Sequence, residues 1–316
     1  MTDSCEPSDM NNGFAICRSF FFGYSVSDGA VAGSCITEAF VRIWIGLMLL
    51  FCAAGGFAED AKDDSNDTLK LVTYNVLADN VSVKQRIPAL FKILDQSDAD
   101  IIVLQECANW FLKLLSDETW IKKYHLVTKE KTAVNQGEYV ILSKHQLQAT
   151  VYQQLPGKQE RCVFVGLMTW NGRSLAVATS HLESYLQDGE TRAKQLDLIF
   201  PLLKEADDAI FLGDFNFGDG EEPDSSHLDK KYFDVWRQLK PKDPGFTWNI
   251  EVSDMAKDGS FPKETSRRID RVLVRSFVWK PEAITIIGDT PVVEGKKDVF
   301  PSDHFGLSAT LKFKSK

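Results

Sequence analysis

From residue 69 onward the chain is punctuated by short apolar runs, and each one stops at a polar side chain. "LKLVTYNV" (69–76) alternates as a half-buried strand does, and "ADIIVLQE" (99–106) is a continuous apolar run of the kind covered on both faces. Further strands are expected at 138–144, 162–170, 174–182, 208–216, 268–275, 283–289 and 305–313. Between them, "VKQRIPALFKILDQSD" (83–98) places Ile87, Leu90, Phe91 and Leu94 at helical spacing. "ETRAKQLDLIFPLLKEA" (190–206) does the same with Leu196, Ile199, Leu202 and Leu203. So many strands with only a few interspersed helices predict an α/β fold of two sheets packed face to face, with helices outside.

Composition separates this body from what precedes it. The chain has 316 residues and a formal charge of -9. Residues 1–68 hold 3 Lys/Arg against 10 Asp/Glu, which leaves 33 against 35, a net of -2, for the rest. A near-neutral body argues against strong nonspecific attraction to nucleic acid while leaving room for a local basic groove. Four of six cysteines (Cys5, Cys17, Cys35, Cys52) lie in the extension, and Cys107 and Cys162 have neither zinc-ligand spacing nor a disulfide framework. That usage suits a reduced, intracellular-type domain.

The extension reads as largely disordered over residues 1–39, rich in Ser, Gly and small side chains. Ile43 to Ala58 then form a run of 16 residues without charge, after Arg42 and before Glu59 and Asp60. The run is short for a membrane-spanning helix, which needs about 20 apolar residues. Its flanks resemble a signal-peptide core and cleavage site, which makes a lipid or membrane contact, or entry to the secretory pathway, one expectation for 43–58. A sticky segment that docks on the body is the other. The acidic linker "EDAKDDSNDT" (59–68) marks the expected domain boundary, with residues 69–316 as the catalytic unit.

The polar strand ends carry the chemistry: Asn75, Glu106, His181, Asp214 with Asn216, Asp270, and Asp303–His304 before the last strand. One buried acid at a strand end is commonly a satisfied structural group. Six such ends in one chain form, if the sheet edges converge, an oxygen-rich site for a hard divalent cation with two imidazoles beside it. Cation, carboxylate and imidazole together suit attack of water on phosphorus. In "IFLGDFNFGDG" (210–220), Asp214 is expected to hold that water, with the flanking glycines letting substrate approach.

The ordered set "LVTYNV", "IIVLQEC", "TSHLES", "FLGDFN", "RRIDRVL" and "PSDHFGL" resembles the endonuclease/exonuclease/phosphatase superfamily across residues 69–313. The resemblance implies a four-layered, DNase I-like α/β sandwich, one or two Mg²⁺ or Mn²⁺ ions, and phosphoester hydrolysis. It further implies that Glu106 is the principal metal ligand and that Asn75 holds metal or phosphate. Asp214 then activates water fixed by Asn216, Asp303 pairs with His304, and His304 and His181 donate to the phosphate. Asp270 orients an imidazole from a neighbouring strand.

"TSHLES", "RAKQL" (192–196), "FTWN" (246–249) and "PSDHFGL" are most similar to the tyrosyl-DNA phosphodiesterase branch. That likeness implies cleavage of 5′-phosphotyrosyl bonds in DNA repair, a single-stranded or 5′-end DNA partner carrying a tyrosyl adduct, and a nuclear location. It places Ser184, Arg192 and Trp248 against substrate, although a Trp in such a segment is equally a core residue. "TYNVLADN" is nearer the deadenylase branch, and Gly218 stands where the branch tends to carry a basic residue. Another nuclease or deadenylase, or a sphingomyelin or inositol phosphodiesterase, therefore remains open.

Overall fold

The structure is a computed structural model that describes residues 67–128 and 138–314. The extension and its apolar segment 43–58 lie outside the described residues. Among the described residues, twelve strands form two six-stranded sheets. The first contains β1 (Thr68–Asn75), β2 (Ile101–Cys107), β3 (His125–Thr128), β4 (Glu138–Ser143), β11 (Trp279–Ile287) and β12 (Gly306–Phe313), in the order β11-β12-β1-β2-β4-β3. The second contains β5 (Ala149–Gln154), β6 (Cys162–Trp170), β7 (Arg173–His181), β8 (Asp208–Asp214), β9 (Phe233–Asp234) and β10 (Asp270–Arg275), in the order β5-β6-β7-β8-β10-β9. In each sheet the middle pair is parallel, β1 with β2 and β7 with β8, and all other pairings are antiparallel.

Strand periodicity sorts the side chains into layers. Leu69, Leu71, Ile101 and Val103 from the first sheet pack with Val177, Ile210, Leu212, Val272 and Val274 from the second, which makes the inner core. The alternate positions Val72, Tyr74, Ile102 and Leu104 lie under the helices Val83–Ser97 and Asn109–Ser116, against Ile87, Leu90, Phe91, Leu94 and Phe111. On the opposite side Val163, Val165, Ala176, Ala178 and Phe211 lie under the helix Gly189–Leu202, against Leu196, Ile199 and Phe200. Helix, sheet, sheet, helix is the four-layered arrangement expected. Cys107 and Cys162 are both buried.

The expected elements recur with small shifts at their ends, and the helix at 190–206 stops at Leu202, one residue past Pro201. Strands β3 and β5 carry no alternation that reads as a strand, because both are edge strands with half-exposed faces. The "FTWN" segment is not a strand. It joins the sheet region through the isolated bridge of Trp248 to Arg267 and through Thr247 Oγ1, which accepts from the Ile269 and Asp270 amides at 3.1 and 3.0 Å. Among the described residues, no helix is long and apolar enough to cross a membrane.

Two features fix the end of β8. Gly213 has φ +151°, and a Cβ there would lie 2.3 Å from the Ser180 carbonyl oxygen of β7. Its glycine therefore serves strand packing, not substrate approach. Gly218 likewise backs onto protein, since a Cβ there would sit 2.7 Å from Glu221 Oε1. Beyond it, Asp219 accepts from Arg237 Nη2 at 2.6 Å, Arg271 Nη1 at 2.8 Å and Arg268 Nε at 3.0 Å. Asp234 adds a second carboxylate 2.8 Å from Arg268 Nη2. Burial alone would raise the Asp219 carboxyl, but the bonds from Arg268, Arg271 and Arg237 hold it well below the ordinary carboxylate range.

Gly213→Ala should lower stability by about 2–4 kcal/mol, from the forced φ and the strand clash together, seen as a drop in denaturation midpoint. Asp219→Asn should cost about 1–3 kcal/mol at neutral pH, because Arg268 and Arg271 are buried and lose part of their partnership. Since the folded-state pKa lies below the unfolded value near 4, that difference is complete above the unfolded pKa and shrinks as pH falls below it. A gap that stays constant down to pH 2 would contradict the assignment.

Candidate active site

Side-chain parity brings the expected residues to one place. On β1 the inward positions run Leu69, Leu71, Thr73 and then Asn75; on β8 they run Ile210, Leu212 and then Asp214. His181 and Asp270 continue the inward rows of β7 and β10, and each pairs in register with Asp214. Both rows leave the core at the same end of the sandwich. Asn75 Nδ2 therefore donates across the sheets to Asp214 Oδ2 at 3.0 Å. One layer below, Gln105 Nε2 bridges Thr73 Oγ1 at 3.2 Å and Thr179 Oγ1 at 3.0 Å, so polar contacts join the sheets under the site.

Glu106 is out of phase with this row. A register shift between Leu104 and Cys107, with φ +60° at Glu106 itself, swings its carboxylate back to the site. Left-handed backbone at a non-glycine residue is costly and concentrates where function requires it. Asn75 Nδ2 then donates to Glu106 Oε1 at 3.0 Å, and the Ala78 amide donates to Oε2 at 2.9 Å. Asn216, also at positive φ, turns its amide N–H onto Asp214 Oδ1 at 2.9 Å and its Nδ2 onto the Leu182 carbonyl at 3.0 Å. Oδ1 of Asp214 thus faces the Asn216 amide, while Oδ2 faces Asn75 and the two imidazoles.

The two imidazoles differ in charge. Arg161 Nη1 lies 3.0 Å from His181 Nδ1, and a guanidinium can only donate, so Nδ1 accepts and Nε2 carries the proton. That Nε2 is 3.3 Å from Asp214 Oδ2. Burial, Arg161 and His304 all press the His181 pKa well below its ordinary value, so the ring is neutral. His304 Nδ1 lies 3.0 Å from Asp270 Oδ2. Burial works against its charge, but Asp270 and Asp214 prevail and hold His304 protonated well above the ordinary histidine range. Its Nε2 stands 3.7 Å from Asp214 Oδ2.

Negative charge is in excess. Burial pushes the Asp214 carboxyl up to about 7 against the pull of His304, and Asp270 and Glu106 add to the rise. Asp270 Oδ1 is buried without a partner. A hard divalent cation fits such a set of oxygens. Asp214, Asp270 and His304 place one donor atom each within 4.8 Å of one another, but a protonated imidazole is not a metal ligand. Glu106, whose side chain is 25% exposed, is the accessible oxygen donor.

Several expectations need correction. Asn75 does not offer an oxygen to a cation, because its Oδ1 accepts from the Leu77 amide at 3.1 Å and its Nδ2 faces the two acids. Asp303 is not the partner of the His304 ring. It accepts from the His304 backbone amide at 3.1 Å and lies beside Ser302, and Asp270 is the ring's partner. Arg192 does not face substrate, being 1% exposed and consumed by Asp224 Oδ1 at 2.6 Å and the carbonyls of Glu183 and Tyr185. Trp248 is 7% exposed, with its ring edge-on to His304 at 5.0 Å, so it backs the imidazole and is no open stacking platform. Ser184 does reach the rim, where its Oγ accepts from Arg161 Nη2 at 2.6 Å. Arg161 itself escaped the sequence reading. It sits at the start of β6, not the end of a strand, and antiparallel pairing with β7 brings that start beside His181.

Residues 72–304 match the Endonuclease/Exonuclease/phosphatase family. The chain is 27% identical over 261 residues to tyrosyl-DNA phosphodiesterase 2 of Rattus norvegicus, covering 78% of this chain and 68% of the relative. It is 25% identical over 269 residues to the Homo sapiens protein of that name, covering 80% and 71%. Among solved structures, D. rerio TDP2 complexed with a single-strand DNA product superposes with a TM-score of 0.67 at 24% identity, over 78% of this chain and 100% of that one. Truncated Caenorhabditis elegans TDP2 gives 0.66 at 19% identity, over 78% and 98%. These last likenesses establish a shared fold.

In chelator-treated protein, NMR titration should place the His304 imidazole above about 6.5 and His181 below it. Asp270→Asn should move His304 downward by removing its nearest charge. An unmoved His304 would refute Asp270 as its partner.

Proposed function

The chain belongs to the endonuclease/exonuclease/phosphatase family, and from that premise we propose that it hydrolyses 5′-phosphotyrosyl bonds on DNA, as a metal-dependent phosphodiesterase of DNA repair. The carrying observation is the meeting of Asp214 with both imidazoles and Asn75 at the mouth of the sandwich, in a chain whose curated relatives carry that activity in their names. Residues 69–316 form the catalytic domain in this reading, and a DNA-repair role supports a nuclear location.

Asp214 Oδ2 takes the proton of the attacking water, while Asn216 holds Oδ1 and so fixes the carboxylate plane. His304 Nε2–H and His181 Nε2–H, on either side of that oxygen, donate to the non-bridging oxygens as phosphorus becomes crowded. Asp270 keeps His304 charged through the event. Arg161 and Ser184 border the entrance and add a positive charge and a hydroxyl for the incoming phosphate. Glu106 would hold Mg²⁺, or Mn²⁺ in its place, and a bound ion would neutralise charge on the phosphate and orient it. A tyrosyl oxygen has a pKa near 10, so it departs with less protonation than a sugar alkoxide needs.

The test is release of a 5′-phosphate end from a single-stranded oligonucleotide bearing a 5′-phosphotyrosine, with the full chain and Mg²⁺. Asp214→Asn should cut the rate by about 10²–10⁴-fold, the span typical of losing a general base. Failure to cleave this substrate, together with robust turnover of poly(A) or of sphingomyelin vesicles, would reassign the substrate within the same family.

A further inference from the structure

Arg86 is 0% exposed, and each of its five hydrogen bonds ends on a backbone carbonyl. Nε donates to Val81 O at 2.8 Å, Nη1 to Val76 O at 2.7 Å and Pro301 O at 3.4 Å, and Nη2 to Leu77 O at 2.9 Å and Asp79 O at 2.5 Å. The segment after β1 is thus wrapped around a guanidinium whose donor inventory of five is fully used. Trp110 closes the wrapping, with its ring 5.4 Å from the guanidinium carbon and its Nε1 donating to Ala78 O at 3.0 Å.

What sets this arrangement apart from a simple loop clasp is where the other ends of the same peptide groups go. The Val76–Leu77 peptide accepts from Arg86 through its carbonyl and donates through its N–H to Asn75 Oδ1 at 3.1 Å. The next peptide, Leu77–Ala78, accepts from Arg86 through its carbonyl and donates through its N–H to Glu106 Oε2 at 2.9 Å. Two successive peptide dipoles therefore run from one buried cation to the two first-sheet groups of the site. Leu77, between them, is held at φ +62°, a conformation a leucine adopts only under constraint. The fifth bond reaches Pro301, next to Ser302, whose Oγ donates to Asn75 O at 2.7 Å.

We propose that Arg86, braced by Trp110, is a positioning residue for the reaction: through two peptide groups it fixes the amide orientation of Asn75 and the carboxylate plane of Glu106, and so sets cation affinity without touching cation or substrate. With Asn75 Oδ1 tied down, only its Nδ2 can face Glu106 and Asp214. With Glu106 Oε2 on the Ala78 amide and Oε1 on Asn75 Nδ2, the direction of the lone pairs left for an ion is set. The two peptide N–H groups are polarised toward Asn75 and Glu106 by the charge at their carbonyl ends. Outer groups of this kind govern the affinity and activity of metal sites as strongly as some direct ligands do.

The proposal rests on the metal-dependent phosphodiesterase reading, and Mn²⁺ binding to the full chain separates the two. Arg86→Lys keeps the charge but supplies three donors from one point, too few for five carbonyls. It should weaken Mn²⁺ affinity, measured by EPR of the free ion, by about 10–100-fold. It should also lower kcat on the phosphotyrosyl oligonucleotide by a similar factor, with KM nearly unchanged. Trp110→Phe removes the bond to Ala78 and trims the ring over the guanidinium, and should shift both quantities in the same direction by less, which decides the matter if Arg86→Lys fails to fold. Folded variants with wild-type Mn²⁺ affinity and kcat would reduce Arg86 to a structural clasp and overturn the proposal. A wild-type chain that binds Mn²⁺ but leaves the oligonucleotide intact would sink the substrate reading alone, with Mn²⁺ affinity still deciding Arg86. No Mn²⁺ binding by the wild type would sink both.

Discussion

The 3.0 Å bond from Asn75 to Asp214 joins the two sheets at the mouth of the sandwich, and the site is organised around it. It exists because the inward rows of β1 and β8 leave the hydrophobic core at the same level. A shift of either strand by one residue would exchange inner and outer faces and carry the side chain away from its partner. Register is held by the apolar residues beneath, so the core sets the catalytic geometry. Gln105, bridging Thr73 and Thr179, carries that alignment up to the last layer before the carboxylates.

Electrostatics then works against the fold at the same spot. Asp214 and Asp270 are wholly buried, Glu106 stands beside them, and the described side chains supply one charged imidazole and a guanidinium at the rim. Elsewhere acids and arginines are matched, as in the cluster around Asp219 and Asp234. The contrast is physical: one cluster spends its charge on internal pairs and stiffens a loop, whereas the other keeps charge uncompensated and so stays ready for a cationic or phosphorylated visitor. Of the eight non-glycine residues at positive φ among the described residues, Leu77, Glu106 and Asn216 lie around the mouth.

Much of this was legible in the chain of letters. The apolar runs gave the strands, and their polar ends gave Glu106, His181, Asp214, Asp270 and His304, because a strand that ends in a charged side chain delivers it to a sheet edge. What stayed hidden has a common cause. Partnership between side chains depends on register across strands far apart in sequence, so nothing local told that Asp270 and not Asp303 serves the His304 ring. Arg192, expected against substrate, shows the other limit: the burial of a helix face depends on what packs over it, which no local pattern announces. Arg161 begins its strand, and only antiparallel pairing reveals that this start neighbours the end of β7.

Strand β12 comes last in the described chain yet lies inside the first sheet, between β11 and β1. His304 and Ser302 sit just ahead of it, and Ser302 is bonded to the end of β1, the first of the described strands. The strands that carry His181, Asp214 and Asp270 are complete in sequence by Arg275. The imidazole that Asp270 charges therefore reaches the site only when β12 takes its place between β11 and β1.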